Sequence, residues 1–289
     1  MDFNNREHLG KGIFRDFKFR ASSAGKLMTS GKKGEIIGET AKSYLIEVYL
    51  EAKTGRRNNV TSRYMEKGTE VEAEAINLLN EHDDAFPFYE KNTERKSNDF
   101  IHGECDIDNK EKDEIIDIKS SWDIWTHSRH LREKRDEIDD KNYEVQGNCY
   151  MDLWGRSNFR LARVLIDTPQ DLVDDQMKKA LYEIGSSKKG SLMYEKICEE
   201  IKKNNQFSDL SINERVICFR ITKNSQLLSE LYERIKYCRE WLNRFAIEQY
   251  NLNNPSEIPV EYNPLAESEN VVIVDSEFDE VEPIFEEPE

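Results

Sequence analysis

The chain has 289 residues, of which 37% are hydrophobic and 35% charged, and its formal net charge at pH 7 is −16. This composition is typical of a soluble globular protein, and no apolar run approaches the roughly 20 residues that a membrane-spanning helix needs, so the sequence excludes a membrane protein. Residues 1–12 lack a hydrophobic signal core, which argues against export. The five cysteines form no CxxC pair, which argues against a zinc or iron–sulfur module and predicts reduced thiols in a cytoplasm.

The first marked element is a short helix after Arg20, which Ser22 or Ser23 can cap. A helix N-terminus with an arginine beside it can bind a phosphate. An ordinary serine cap with a surface arginine fits the same residues. In the basic loop that follows, Lys32 and Lys33 either contact a nucleic-acid backbone or are simply solvated.

Two helices are predicted next, over residues 40–53 and 64–80, because apolar side chains recur at helical spacing in both segments. In the second helix, Gly68 and Glu72 lie four residues apart on one face. Glu72 can therefore point toward the strands that follow, or it can belong to an ordinary exposed helix surface.

Residues 100–121 predict two short strands joined by a polar turn. In the second strand, β-branched residues alternate with charges, so Asp117 and Lys119 share one face. The first strand, residues 101–107, carries Asp106, and antiparallel pairing can set this carboxylate within reach of Asp117.

Two carboxylates and a lysine that converge on one point outline a site for a divalent metal. A solvated edge hairpin is the alternative, because an acidic residue two positions before a lysine is common in this chain. The same tripeptide pattern begins at Asp16, Glu51, Glu94, Asp108, Asp139 and Glu200. Only Asp117 lies in an apolar, β-branched run, and Asp108 is a second candidate for the role of Asp106.

Beyond the hairpin, Trp122 and Trp125 can either stack on bases or pack in the core. A helix is predicted over residues 143–154, with Gln146 and Tyr150 on one face. A buried glutamine needs a partner, since an unsatisfied amide costs about 1–3 kcal/mol. The active site can supply that partner.

The remaining chain is predicted to contain two further strands and three helices, which cover residues 159–167, 172–184, 191–203, 215–221 and 225–250. No Lys or Arg and 13 Asp or Glu follow Arg244. We therefore predict one domain over residues 1–250 and an acidic, disordered tail over 251–289. Two alternatives remain for the tail. Its apolar segment 271–274 can act as a peptide that docks on a partner or in a basic groove of the protein, or the tail only increases solubility.

Five weak signals occur in a fixed order: the R-x-S of Arg20 to Ser22, the G-x-x-x-E of Gly68 to Glu72, Asp106, the D-x-K of Asp117 to Lys119, and the Q-x-x-x-Y of Gln146 to Tyr150. In this order the sequence resembles the PD-(D/E)XK nucleases, and within them the phage lambda-type exonucleases, also called YqaJ-type viral recombinases. The resemblance extends from about Arg20 to about Leu242. Cys105 stands where a proline is usual, and Ile107 where a glycine is common.

The resemblance implies an α/β fold with a restriction-endonuclease-like core, in which helices flank a mixed central sheet. It also implies a role for each motif residue. The magnesium or manganese ion is bound by Asp106, Asp117, the carbonyl of Ile118 and Glu72. The attacking water and the scissile phosphate are positioned by Lys119 and Gln146, and DNA or its phosphates are contacted by Arg20, Ser22 and Tyr150. Hard oxygen ligands of this kind favour magnesium-like ions on chemical grounds alone.

For function, the resemblance implies a magnesium-dependent exonuclease that degrades linear double-stranded DNA from its ends, 5′ to 3′, to generate single strands for recombination or repair. Such enzymes form homo-oligomeric rings, typically trimers, and work with a single-strand annealing protein, in the bacterial host cytoplasm when a phage encodes them. A structure-specific or RecB-like endonuclease of the same fold is the alternative. A non-catalytic protein that mimics DNA is another, and the intact Asp106, Asp117 and Lys119 argue against it.

Overall fold

The computed structural model describes residues 1–32, 35–58 and 62–264. The strands in these ranges are β1 (Phe19–Arg20), β2 (Lys96–Ser97), β3 (Ile101–Gly103), β4 (Ile107–Asn109), β5 (Glu114–Ser120), β6 (Asn158–Val164) and β7 (Val216–Thr222). The last four form the central sheet, in the order β4-β5-β6-β7. Strands β5 and β6 are parallel and the other neighbours are antiparallel, so the sheet is mixed, as predicted. A second, small sheet has the order β1-β3-β2.

The α-helices of the described ranges are α1 (Arg6–Lys11), α2 (Ala24–Leu27), α3 (Glu39–Thr54), α4 (Arg63–Glu70), α5 (Glu72–Asp83), α6 (Ile124–Ser128), α7 (Lys141–Trp154), α8 (Gln170–Ile184), α9 (Leu192–Asn205), α10 (Ile212–Arg215) and α11 (Ser225–Asn253). Short 3-10 turns precede α2 and follow α6 and α8. In the part of the chain that the structure describes, no helix combines the length and apolarity needed to cross a bilayer.

Side-chain alternation along the central strands separates two hydrophobic cores. Ile115 and Leu161 belong to the larger core, which α2, α3, α7 and α11 cover. Ile116 and Ala162 point the opposite way, into a smaller core that α5 covers. Asp117 follows the alternation and lies on the face of Ile115, beneath α7. Helices thus flank the sheet on both faces, and the predicted fold class is confirmed.

The single helix predicted over residues 64–80 is wrong, because the chain turns at Val71 (φ −95°, ψ 11°) between α4 and α5. The two helices bury different residues. Helix α4 directs Lys67 to the carbonyl of Trp122, at 2.8 Å, whereas Val71 and Ala75 pack in the smaller core. One straight helix does not reach both places, and amphipathic periodicity alone does not reveal the change of direction.

The first strand of the predicted hairpin, residues 101–107, is also divided. Strand β3 leaves the central sheet and pairs with β1, with Ile101 opposite Phe19. Strand β4 then begins at Ile107, opposite Ile116 of β5. The bend between them holds Asp106, one residue before the paired segment, and this register places Asp106 beside Asp117.

At the C-terminal end, α11 extends to Asn253, so the predicted domain boundary at residue 250 falls inside this helix. Residues 254–264 then run back toward α1, where Arg6 forms an ion pair with Glu257. The side-chain amide of Asn251 donates a hydrogen bond to the carbonyl of Val260 and accepts one from the N–H of Val260. The predictions for segment 271–274, for the rest of the tail from residue 265, and for Lys33 concern residues outside the described ranges.

Candidate active site

Strand β5 and the bend before β4 bring two carboxylates and an ammonium group together. Asp117 is buried, with 2% of its side chain exposed, and its Oδ2 lies 2.6 Å from the Nζ of Lys119. Asp106 accepts a hydrogen bond of 2.6 Å from the backbone N–H of Ile118. The hairpin therefore brings Asp106, Asp117 and Lys119 into one site, as the sequence predicts.

Helix α7 covers this site with an amide and a phenol. The Nε2 of Gln146 donates hydrogen bonds to the Oδ1 of Asp117, at 3.1 Å, and to the hydroxyl of Tyr150, at 3.2 Å. Both side chains are buried. The partner expected for Gln146 is thus Asp117, and the bond holds one carboxylate oxygen of Asp117 in a fixed orientation.

A glycine permits the close approach of α7 to the sheet. A Cβ atom placed on Gly147 would lie 2.4 Å from the ring of Phe159 in β6, which is closer than real contacts allow. The absent side chain at position 147 therefore sets the distance between Gln146 and the strand that carries Asp117. Among the residues that sequence reasoning did not select for the site, Gly147 has the clearest signal, a glycine inside an otherwise strong helix.

The electrostatics of the site favour an additional cation. Burial and the neighbouring Asp117 carboxylate raise the pKa of Asp106 well above its usual range. Burial lowers the pKa of Lys119, but the charges of Asp117 and Asp106 outweigh this effect and raise it. The Oδ2 of Asp117 is buried and accepts no hydrogen bond of acceptable geometry, although Lys119 is near. One ammonium group therefore leaves the two carboxylates incompletely satisfied.

These residues fit a magnesium ion. The Oδ2 of Asp117, which faces Lys119, and the carboxylate of Asp106 are hard oxygen donors, the type that magnesium prefers. Within residues 1–32, 35–58 and 62–264, no cluster of three or more His, Cys, Asp or Glu side chains is arranged for a metal. Magnesium does not need such a cluster, because it retains several waters and commonly binds one or two protein carboxylates.

Glu72, predicted near the metal, lies at the first position of α5 and forms an ion pair with Lys91, at 2.6 Å. Its charge is close enough to contribute to the raised pKa of Asp106, but its carboxylate is bound elsewhere. The structure therefore places Glu72 beside the site, and the turn at Val71 determines this position.

Asp108, the second candidate for the role of Asp106, is bound to Arg156. The guanidinium donates two hydrogen bonds to the carboxylate, at 2.7 and 3.1 Å, and 8% of the Asp108 side chain is exposed. A bidentate partner neutralises this carboxylate. The geometry favours Asp106 as the carboxylate available to a metal.

Of the three predicted DNA contacts, Arg20 lies in β1 of the small sheet, Ser22 lies in the 3-10 turn that follows it, and Tyr150 is buried in α7. The side chain of Arg20 is half-exposed and pairs with Glu51 at 3.3 Å. Ser23 occupies the N-cap position of α2, as predicted, but its side chain makes no capping hydrogen bond, and neither does Ser22 cap a helix. Arg20 lies opposite His102 in β3, and burial, followed by the charges of Arg95, Arg20 and Lys18, lowers the pKa of His102 to about 4. Three basic residues thus lie near His102, and two of them are paired, Arg20 with Glu51 and Arg95 with Glu104.

The two tryptophans differ in their surroundings. Trp122 packs against Tyr64, with ring centroids 5.1 Å apart, and lies beneath the ammonium of Lys67. Trp125 is 73% exposed on α6. The packing alternative therefore describes Trp122, whereas Trp125 is free to stack on a base.

Neither a protein-family model nor a curated protein sequence matches the chain. Similar solved structures include a phage-related exonuclease from Haemophilus somnus 129PT, with a TM-score of 0.64 and 24% identity, covering 82% of this chain and 100% of that chain. They also include an alkaline exonuclease from Laribacter hongkongensis, with a TM-score of 0.55 and 14% identity, covering 87% of this chain and 100% of that one. The same enzyme in complex with dAMP gives a TM-score of 0.54 and 14% identity, with coverage of 85% and 97%.

At these identities the comparisons establish the fold. The chain has the fold of these phage-related and alkaline exonucleases, a mixed α/β core with helices on both faces. The resemblance inferred from the five motifs is confirmed at this level.

Proposed function

We propose that the chain is a DNA exonuclease of the phage lambda type that hydrolyses phosphodiester bonds with the help of magnesium. The observation that carries the proposal is the arrangement of Asp106, Asp117, Lys119 and Gln146 within a fold shared with exonucleases. These residues come from separate elements, β5, the bend before β4 and α7, and together they form one charged, largely buried site.

Asp106, Asp117 and the carbonyl of Ile118 would hold the ion, and manganese would substitute for magnesium. When bound, the ion lowers the pKa of a coordinated water and offsets the negative charge that develops on the phosphate. The ammonium of Lys119 supplies a second positive charge beside the scissile group. Gln146 keeps the Asp117 carboxylate oriented through its amide N–H, and the phenol of Tyr150 fixes the amide in turn.

The finer parts of the proposal rest on the resemblance to the phage lambda-type enzymes. They are digestion of linear double-stranded DNA from the 5′ end, a ring-shaped homo-oligomer, and delivery of the resulting single strand to an annealing protein in recombination or repair. The basic residues near His102, among them Arg20, support an anchor for a terminal phosphate, with Ser22 next to it in the chain. A structure-specific endonuclease of the same fold is the competing candidate, and it differs in not requiring a free end.

One assay separates these candidates. Linear and nicked-circular duplexes, with 5′-phosphate or 5′-hydroxyl ends, are incubated with and without magnesium and with wild type or Lys119→Ala. We expect magnesium-dependent digestion of the linear substrate, faster with the 5′ phosphate, and nearly complete loss of activity in Lys119→Ala. Lys178→Ala, which removes an exposed lysine paired with Asp175, is the matched control and should remain active.

Cleavage of the nicked circle at sites away from the nick would favour the endonuclease. Activity without a divalent metal, or a Lys119→Ala variant as fast as wild type, would contradict the mechanism. No cleavage of any substrate by the wild-type protein would contradict the proposed function itself.

A further inference from the structure

A second cation lies next to Lys119 on the same face of the sheet. Arg163 of β6 is the residue opposite Lys119 in the parallel pairing of β5 and β6. Arg163 and Leu161 are two residues apart in β6, so their side chains point to the same face of the sheet. Leu161 lies in the larger core beneath α7. The side chains of Lys119 and Arg163 therefore lie side by side, at the end of the sheet that holds the candidate active site.

Arg163 has no negative partner. Throughout the described ranges it forms no ion pair or hydrogen bond, and its Nε is buried without an acceptor. The other partly or fully buried arginines of this sheet region are neutralised: Arg160, three residues earlier on the same strand, binds Asp83 and Glu114, and Arg156 binds Asp108. The missing counter-charge is thus a specific property of position 163.

An aromatic ring holds Arg163 in place. The guanidinium carbon lies 5.2 Å from the ring centroid of Tyr143 in α7, and the Nζ of Lys119 lies 5.6 Å from the same centroid. A ring face attracts and orients a cation without neutralising its charge. Tyr143 therefore positions two cations beside each other without supplying a hydrogen-bond acceptor for Arg163.

Other basic residues also lie near Arg163. His127, which is buried nearby, has its pKa lowered to about 4, first by burial and then by the charges of His130, Arg163 and Arg135. A half-buried guanidinium among other positive groups costs free energy unless an anion joins it. The proposed substrate, the DNA backbone, is such an anion.

We propose that Arg163, oriented by Tyr143, binds a backbone phosphate of the DNA strand next to the phosphate that is cleaved. This inference rests on the proposed nuclease function and adds a binding residue to it. A guanidinium suits this role because it presents a planar set of N–H donors to a phosphate and stacks on an aromatic ring at the same time.

Binding without metal tests the inference directly. The Kd for a short, fluorescein-labelled duplex is measured by fluorescence anisotropy in EDTA, over a series of salt concentrations, with the full-length protein. We expect Arg163→Gln to bind about tenfold more weakly than wild type, as expected for the loss of a charge-assisted contact. The slope of log Kd against log salt should fall by about 1, because one fewer phosphate is neutralised. Lys178→Gln, which removes one exposed cation, should match wild type.

Two substitutions at Tyr143 test the orienting ring. Tyr143→Phe keeps a ring face and should bind DNA like wild type, whereas Tyr143→Leu removes the face and should weaken binding in the same direction as Arg163→Gln. Arg163→Lys keeps the charge but not the planar donors. It should preserve the salt slope while binding more weakly than wild type. Thermal unfolding of each variant identifies any variant that fails to fold.

The outcomes separate this inference from the proposed function. If wild type digests linear DNA and a folded Arg163→Gln variant keeps the wild-type Kd, salt slope and KM, the inference is wrong and the nuclease proposal stands. If Arg163→Gln loses only thermal stability, its role is packing, and the inference is again wrong. If wild type neither binds nor cleaves DNA, both proposals fail.

Discussion

Burial and charge conflict at Asp117 more strongly than elsewhere in the site. The side chain has 2% of its surface exposed, it faces the carboxylate of Asp106, and its cationic partner is Lys119, 2.6 Å from Oδ2. Placing two carboxylates together in a protein interior is unfavourable, and Lys119 compensates for only part of the charge. At Asp108 the buried carboxylate is instead neutralised by two hydrogen bonds from the guanidinium of Arg156. The difference between these aspartates separates a site available to a metal from a structural ion pair.

This difference leads to opposite expectations for two substitutions that are two residues apart. Asp106→Asn should lower kcat at least about a thousandfold, because it would remove a ligand of the proposed magnesium ion, while the protein should stay folded. Asp108→Asn should retain most activity but lower the free energy of unfolding by about 2 kcal/mol, because Arg156 loses its partner. Single-turnover cleavage and urea denaturation measure the two effects. Loss of activity in Asp108→Asn alone would reverse the assignment of the two aspartates.

At the scale of elements, the active site depends on how closely α7 approaches the central sheet. Gly147 allows the helix to lie against Phe159, and one residue earlier Gln146 reaches Asp117. Strand β5 contributes through its alternation, which places Asp117 and Lys119 on the face that α7 covers. Neither element forms the site alone.

Gly147→Ala is therefore expected to impair both stability and activity. Its Cβ would lie 2.4 Å from the buried ring of Phe159, so α7 must move away from the sheet. Overpacking of this kind costs about 1–3 kcal/mol, which exceeds the helix propensity gained from alanine. The shift of Gln146 should lower kcat about tenfold.

Gly68→Ala is the control for this substitution. Gly68 also lies in a helix, α4, but a Cβ there meets nothing within 4 Å, so this variant should be as stable as wild type or slightly more stable. Thermal unfolding and cleavage rates of both variants provide the comparison. Equal behaviour of the two variants would show that the spacing between α7 and β6 is not important.

At the scale of the whole molecule, charge is distributed unevenly. Ten Asp or Glu and no Lys or Arg follow residue 264, so the preceding residues carry a net charge of −6 out of the total of −16. The total charge therefore does not argue against a DNA substrate. Inside the fold, positive groups are concentrated around Arg20 and His102 and around Arg163 and His127.

Folding keeps His127 neutral, which makes stability depend on pH. His127 is 3% exposed, and burial, reinforced by neighbouring positive charges, lowers its pKa from 6.5 to about 4. The unfolded chain therefore binds a proton at a higher pH than the folded chain does. The associated stability is present in full above pH 6.5 and is lost as the pH falls from 6.5 toward 4. It amounts to at most about 3 kcal/mol.

Urea denaturation of wild type and His127→Gln at pH values above and below this window measures the effect. The difference in stability between the two proteins should shrink or reverse as the solution becomes acidic. The exposed His8, replaced by Gln, serves as the control and should follow wild type at each pH. A His127→Gln variant whose stability parallels wild type across the window would contradict the expectation.

The sequence by itself determined the order of the longer helices and strands and most of the residues that meet at the site, and the family resemblance supplied the mixed α/β class. These features depend on local periodicity: alternation places Asp117 and Lys119 on one face, and helical spacing aligns Gln146 with Tyr150. The chemistry of two carboxylates and a lysine follows from residue type alone. The tertiary structure confirms that these groups lie together, while their catalytic roles remain predictions.

Only the tertiary structure decided which groups are neutralised and by which partners. The sequence leaves Asp108 as a second candidate for the role of Asp106, and a long-range contact with Arg156 distinguishes them. The turn at Val71 and the ion pair with Lys91 place the Glu72 carboxylate beside the site, where it is already bound. The register of β5 with β6 places Arg163 next to Lys119. Such contacts join residues far apart in the chain, so no local pattern encodes them. The hairpin with Asp106, Asp117 and Lys119 is visible in the sequence, but the distant partners that neutralise Asp108 and Glu72 and leave Asp106 without one in the described ranges are not.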